Sequence, residues 1–194
     1  LNENLGVAGG RNVGIERSSG KYLFFLDDDA EIVEKDFLKR CKRYFDDNGE
    51  IGALACNIVN TTTAQLQIGR RLKHRGVECV LTFRGGGCVI RNELFRSGML
   101  PLFPPTLFYG AEENFLSYII YDLGFFVRLC FDLVVLHNPS SSNRLQSKKL
   151  VYNGIVNKAV INTLLFPEEY ARKIERAMRL RLLKHLWKCP SLLY

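Results

Sequence analysis

Apolar positions recur along the chain in two rhythms. Residues 7–18 and 35–47 keep helical spacing, the second through Phe37, Leu38, Cys41, Tyr44 and Phe45. Gly20 follows the first as a candidate left-handed cap. Between them, residues 21–26 (KYLFFL) form a continuous apolar run, the pattern of a strand buried on both faces. Ile51–Val59 is a second such strand. Residues 60–76, with Thr61–Thr63 and a basic cluster, read as a loop or lid. Strand pieces are predicted at 77–83 and 88–91 around Gly85–Gly87, and again at 125–130 and 133–136. Helices are predicted at 112–123, ending at Gly124, then at 148–165 and 168–188 after a Ser/Asn-rich loop at 138–147. This alternation predicts an α/β domain with a mainly parallel sheet.

With 47% of 194 residues apolar and 24% charged, the chain can bury a core. That excludes a disordered chain, a collagen-like repeat and a small disulfide scaffold. The net charge of +7 is unevenly placed. Residues 1–140 hold 16 basic and 17 acidic side chains, whereas residues 141–194 hold 11 and 3. We therefore divide the chain into a main domain at 1–147 and a basic helical extension at 148–194. In the last helix Ile174, Ala177, Met178, Leu182 and Leu186 share one side among many basic residues, and Trp187 lies near its end. A basic amphipathic helix suits an anionic membrane surface. It equally suits packing on the domain with a solvated basic face. No nucleic-acid motif accompanies the charge, so no nucleic-acid partner is expected. The six cysteines stand singly, without a CxxC pair, as free thiols buried in a reducing cytosol would. No run approaches the ~20 apolar residues of a membrane span, and no signal peptide opens the chain. The expected location is cytoplasmic, with the inner face of the cell membrane as the docking surface.

Four features carry candidate chemistry. Asp27-Asp28-Asp29 follows a buried strand, and three adjacent carboxylates repel one another unless a cation sits among them. Ligands of open α/β sheets bind at such strand ends; the plain alternative is a solvated turn. Gly85-Gly86-Gly87 lets backbone approach a ligand closely, but matches neither a dinucleotide nor a P-loop fingerprint. Glu112 and Glu113 open an apolar helix, as dipole partners or as a general base in a cleft. His137 ends a strand, as a structural residue or as a metal ligand.

The order of these features resembles the family 2 glycosyltransferases, in particular the rhamnosyltransferase-like branch. Residues 4–14 (NLGVAGGRNVG) resemble its N-x-G-x-A-x-x-x-N-x-G segment, and residues 20–29 (GKYLFFLDDD) its G-x-Y-x-x-x-L-D-x-D segment with the DXD metal motif. Arg84–Phe95 resembles the glycine-rich acceptor-side segment and its helix. Phe108–Leu116 resembles F-x-x-x-E-D-x-D-L, and Leu136-His137 with the Ser run resembles the late histidine and loop. The resemblance runs from about residue 2 to residue 165. It implies the GT-A fold, a Rossmann-like mixed sheet flanked by helices. Because the family's first two strands would precede Asn2, it also implies an N-terminally truncated copy of that fold, followed here by C-terminal helices.

The resemblance implies an inverting enzyme that moves a sugar from a nucleotide-sugar donor to a hydroxyl of a glycan or lipid-linked acceptor, in cell-envelope polysaccharide synthesis. Asp29 would hold Mn²⁺ or Mg²⁺, with Asp27 on the ribose or the metal and His137 completing the site. Asp28, Gly86, Gly87, Arg11 and Asn12 would line the donor. Glu113 stands where the family has the Asp of its ED pair, the proposed base, and Glu112 would orient the acceptor. Two other readings of the residues are nucleotidyl transfer through the Asp triplet, and a non-catalytic membrane- or polyanion-binding module on a degenerate transferase fold.

Overall fold

The computed structural model describes residues 3–139 and 147–188. In chain order the elements are α1 (Gly6–Arg17), β1 (Tyr22–Leu26), β2 (Ala30–Ile32), α2 (Phe37–Asp47), β3 (Ile51–Asn60), β4 (Arg71–His74) and β5 (Val77–Val80). There follow β6 (Gly87–Arg91), α3 (Asn92–Arg96), α4 (Glu112–Asp122), β7 (Phe126–His137), α5 (Ser147–Leu165) and α6 (Glu168–Lys188). Much of the predicted Ser/Asn-rich loop, Cys189 and the side chain of Trp187 lie outside the described residues.

The strands form one sheet in the order β1-β6-β3-β7-β5-β4. The mainly parallel sheet expected from strand–helix alternation is corrected to a mixed one, as the family resemblance implies. β3 and β7 pair in parallel, but β6 runs antiparallel to both β1 and β3. Thus β1, β3 and β7 point the same way, as strand–helix alternation implies, while β6 slots between two of them reversed. The segment read as a loop or lid at 60–76 instead contributes β4 to an antiparallel hairpin with β5. Its polar side chains hid a strand that is exposed along one face. β1 is likewise not buried on both faces. Among the described residues it pairs only with β6, and of its five residues only Leu23 is buried.

The two strands expected at 125–136 are one bulged strand. Pairing with β3 passes from Cys56↔Cys130 to Asn57↔Val134, so Phe131–Leu133 bow outward. Tyr44 donates its hydroxyl proton to Asp132 at 2.5 Å, and Arg40 donates to the Asp132 carbonyl at 2.6 Å, fixing the bulge to α2. The far edge of β7 carries β5 at its start and β2 at its end, with Ala30 opposite His137.

Strand alternation divides the core between the two sheet faces. Ala53, Ala55, Ile90, Val127 and Leu129 meet Ala8, Ile15, Leu94, Leu116, Ile120 and Ile161 of α1, α3, α4 and α5. Leu54, Cys56, Val89, Cys130 and Val135 meet the Phe37–Cys41–Phe45 stripe of α2, whose i, i+4, i+8 spacing gives one narrow apolar seam. Cys41, Cys56, Cys79, Cys88 and Cys130 are free and buried.

One side chain closes the α2 side. Arg91, at the end of β6, donates to the carbonyls of Ile51 (2.6 Å), Phe45 (2.8 Å) and Asn48 (3.0 Å), capping the end of α2, and lies over the Phe45 ring. Hydrogen bonds from a charged donor contribute more than neutral ones. We expect Arg91→Ala to cost about 2–3 kcal/mol in urea denaturation. Arg91→Lys should recover little of it, because a single ammonium cannot reach three carbonyls. A loss under about 0.5 kcal/mol, the range of an ordinary surface change, would contradict this role.

Candidate active site

Three chain segments meet at the carboxyl ends of β1 and β7. The Asp27–Asp29 triplet forms the tight β1–β2 turn, closed by a bond from the Ala30 amide to the Asp27 carbonyl at 3.1 Å. The register Leu26↔Gly87 brings Gly85–Gly87 alongside that turn. The pairing Ala30↔His137 sets His137 beside it on the other flank, where His137 Nε2 lies 3.2 Å from Asp29 Oδ1. α4 then presents Glu112 and Glu113 from the opposite side.

Arg11 of α1 ties these parts together. Its Nη1 donates to Glu112 Oε1 at 2.7 Å, and its Nη2 stands 3.6 Å from Asp27 Oδ1. The glycines are shaped to this bridge. A Cβ on Gly85 would fall 2.0 Å from the Arg11 guanidinium, and one on Gly86 would fall 2.3 Å from Asp27 Oδ2. A side chain at either position would displace the charged groups. Gly87 instead faces Ile58 and Val135 of the core. Asn12 exchanges two 2.8 Å bonds with the backbone of Phe103, clamping α1 to that loop. Asp28 is exposed on the turn.

Glu112 and Glu113 are 5% and 8% exposed, at the first turn of a helix, where backbone N–H groups favour anions. Glu112 Oε2 is buried without a hydrogen-bond partner among the described residues. Glu113 Oε1 lies 3.8 Å from Arg84 Nη1. Burial pushes the Glu113 carboxyl above its ordinary range, the adjacent Glu112 adds to this, and Arg11 and Arg84 offset part of it. Partial burial and the neighbouring Asp29 and Asp28 also raise Asp27, against the lowering pull of Arg11 and His137.

The turn before α4 is strained. Gly110 has φ +93° and Ala111 has φ +65°, so an alanine sits in the left-handed region at a cost of about 1–2 kcal/mol. The Val7 amide bonds the Phe108 carbonyl at 2.8 Å on one side. On the other, Asn157 of α5 bonds the carbonyls of Tyr109 and Gly110. Neither Asn157 nor Arg84 had been assigned a role from the sequence. The sequence offers no signal for Asn157: at Gly154, three residues before it, a side chain would meet open space.

The donor chemistry at the turn fits a hard divalent cation: carboxylate oxygens and an imidazole. The buried His137 Nδ1 has no hydrogen-bond partner among the described residues. Yet Asp27 is turned toward Arg11, and among the described residues no three such side chains converge closely enough to hold a metal.

A family model for glycosyl transferase family 2 matches residues 1–100, more than half of the chain. The chain belongs to glycosyl transferase family 2. An uncharacterized protein of Haemophilus influenzae is 40% identical over 108 residues, 51% of this chain and 58% of its own length. The chain thus matches less than two thirds of that relative. The crystal structure of S. aureus TarS 1-349 has a TM-score of 0.58 at 18% identity, covering 97% of this chain and 54% of that one. GalNAc-T7, crystallised with UDP, GalNAc and Mn²⁺, has a TM-score of 0.58 at 19% identity, over 79% of this chain and 36% of that one. At such identities the likeness is one of fold, and the fold of this family 2 chain is GT-A.

The raised Glu113 yields a stability prediction whose sign is fixed. A carboxyl raised on folding favours the protonated native state, so its contribution is full below the unfolded value and lost as pH rises through the folded one. Glu113→Gln should therefore raise Tm at neutral pH. That gain should shrink as pH falls toward 4.5, the ordinary value. A Tm series against pH checks both points; a lower Tm for Glu113→Gln at pH 7 would overturn them.

Proposed function

We propose that this family 2 chain is an inverting glycosyltransferase that moves a sugar from a nucleotide-sugar to a hydroxyl of a glycan or lipid-linked acceptor. The observation that carries this reading is the Glu112–Arg11–Asp27 bridge. It couples a buried acidic pair to a carboxylate turn within one site. Two groups of carboxylates with distinct tasks suit a reaction needing a base on one side and neutralisation of a leaving group on the other.

In this reading Glu113 is the general base. Its raised pKa moves it toward the range in which a carboxylate can both be ionised and accept a proton well. It takes the acceptor hydroxyl's proton while that oxygen attacks the anomeric carbon from the face opposite the diphosphate. The bond to the diphosphate oxygen breaks, and its electron pair departs with the nucleoside diphosphate. Glu112, paired with Arg11, orients the acceptor. Arg11, Asp28 and Gly86 serve the donor side, with Asn12 fixing α1, while Gly87, packed on Ile58 and Val135, sets the start of β6. Asp27, Asp29 and His137 are the residues that would hold Mn²⁺ or Mg²⁺, which when bound neutralises charge on the departing diphosphate.

The test is thermal stability of the full-length protein with nucleoside diphosphates, with and without Mn²⁺. Ligand at a hundredfold excess over its Kd stabilises by about 2.7 kcal/mol. We expect one nucleotide to raise Tm in a metal-dependent way, and Asp29→Ala to abolish the shift. Sugar transfer should fall at least 100-fold in Glu113→Gln, the upper range of a lost acid–base contribution being ~10⁴. No shift with any nucleotide would favour the non-catalytic module. Activity dependent on Asp29 but not Glu113 would favour nucleotidyl transfer.

We also propose that α6 docks the enzyme on an anionic membrane surface, where a lipid-linked acceptor would lie. No helix among the described residues is long and apolar enough to cross a membrane. Leu180 and Leu183 are 61% and 62% exposed on α6, on the side that also carries Arg172, Arg176 and Arg179. Sedimentation with phosphatidylserine vesicles, but not with neutral ones, is expected. It should be lost when the three arginines are changed to Glu; retention in that variant would overturn the docking.

A further inference from the structure

The helix after residue 147 does more than extend the domain. The described part of α5 lies against α4, and its Ile161 enters the core. One turn before that residue, its surface meets the 109–111 turn. Gly154 lies so close to Gly110 that a Cβ on Gly110 would stand 3.7 Å from the Gly154 amide nitrogen. Three residues further along the same helix face, Asn157 is 7% exposed. Its Nδ2 donates to the Tyr109 carbonyl at 3.0 Å and to the Gly110 carbonyl at 2.6 Å.

These two carbonyls belong to the residues that lead directly into Glu112 and Glu113. The next residue, Ala111, is held at φ +65°. A left-handed alanine persists only where its surroundings over-determine it. Here one flank is the Val7–Phe108 bond to α1, and the other is the Asn157 amide. Released from Asn157, the turn could relax toward an ordinary backbone conformation and carry the start of α4 with it. Glu113 would then leave its position facing Arg84, and Glu112 would leave Arg11.

We propose that Asn157 is a positioning residue of the reaction: by bonding both carbonyls of the turn, it holds Ala111 left-handed and thereby aims Glu113 at the acceptor. The inference rests on the reading of Glu113 as the base. It differs from a simple packing role because Asn157 touches neither member of the acidic pair and acts through the backbone between them and α1.

The experiment uses the full-length protein and four variants: Asn157→Asp, which keeps size but loses both donors, Asn157→Ala, Ala111→Gly, and the Asn157→Ala/Ala111→Gly pair. A misplacement of about 1 Å can cost ~10²-fold, so kcat should fall roughly 10- to 100-fold in both Asn157 variants. Donor KM should change far less than kcat, because the carboxylate turn is held by its own Ala30–Asp27 bond and by the pairing of β2 with β7. Amide hydrogen exchange across residues 108–113 should quicken while the β3 and β7 amides stay protected. Glycine adopts the left-handed conformation without strain, so Ala111→Gly should restore part of the lost kcat in the double variant. An Asn157→Asp protein with wild-type kcat and unchanged exchange would overturn the proposal. So would a loss of kcat that follows global stability and is not recovered by Ala111→Gly. Failure of the base reading looks different: Glu113→Gln would keep its activity whatever the Asn157 variants do.

Discussion

The site depends on one cation inside the protein. Arg11 is 13% exposed at its side chain and lies between Glu112, which is nearly buried, and the half-exposed Asp27. A buried carboxylate without a counter-charge would be neutralised by a proton instead. The guanidinium is the counter-charge of Glu112, and after burial the neighbouring Glu112 is the next cause that raises Glu113. The surrounding sequence is fitted to the guanidinium. Gly85 has no side chain where the guanidinium lies, the Phe103 ring is 5.9 Å from it, and Asn12 fastens α1 to the Phe103 backbone. A lysine would not reproduce this, because a point charge cannot meet two carboxylates in a fixed fork.

The mixed sheet explains why residues so far apart in sequence reach that cation. β1 and β7 run the same way, so their carboxyl ends deliver Asp27–Asp29 and His137 to one edge of the sheet. β6 runs back between β1 and β3, so its beginning, not its end, lies at that edge, and the glycine segment that precedes it arrives beside the aspartates. A fully parallel sheet would have put Gly85–Gly87 at the opposite edge, away from the chemistry. The reversed strand is therefore a requirement of the site as well as a departure from the expected topology.

The helices α2, α4, α5 and α6 and the strand β3 were legible because their apolar spacing is regular and most of them face a core, whereas α1 offered only a few apolar positions. β4 was not, since Arg71–His74 is polar and its strand character comes from pairing with β5. Nor was the exposure of β1, because an apolar run does not say how many neighbours a strand has. In the site, Asp27, Asp29, Glu112, Glu113, His137 and Gly86 were identified one by one, and the structure brings them together. The partnership of Arg11 with Glu112 was not legible: 101 positions separate them, and a long side chain takes its direction from the tertiary environment. Asn157 was hidden for a related reason. Asparagine on a helix is ordinarily a surface residue, and the strained backbone it serves shows no sequence sign when the residue in the left-handed region is an alanine.

The distribution of the site along the chain bears on how such a protein can vary. Arg11, the aspartate turn and the glycine segment all lie within residues 1–100, the part that matches the family model. Glu112, Glu113, His137 and Asn157 all lie beyond it. The part that matches the family model thus carries the carboxylate turn and its bridging arginine, whereas the acidic pair and its support lie outside that match. The two parts share one sheet, because β7 pairs with β3, β5 and β2, and α1 adds three polar ties to the second part: Arg11 to Glu112, Val7 to Phe108, and Asn12 to Phe103. Each of these ties originates in α1, so this one short helix links the aspartate turn to the acidic pair. Its outward surface has little apolar patterning, with Ala8 and Ile15 its buried positions. Arg11 and Asn12 add polar contacts to the packing of Ala8 and Ile15, so a substitution in α1 reaches the acidic pair through Arg11.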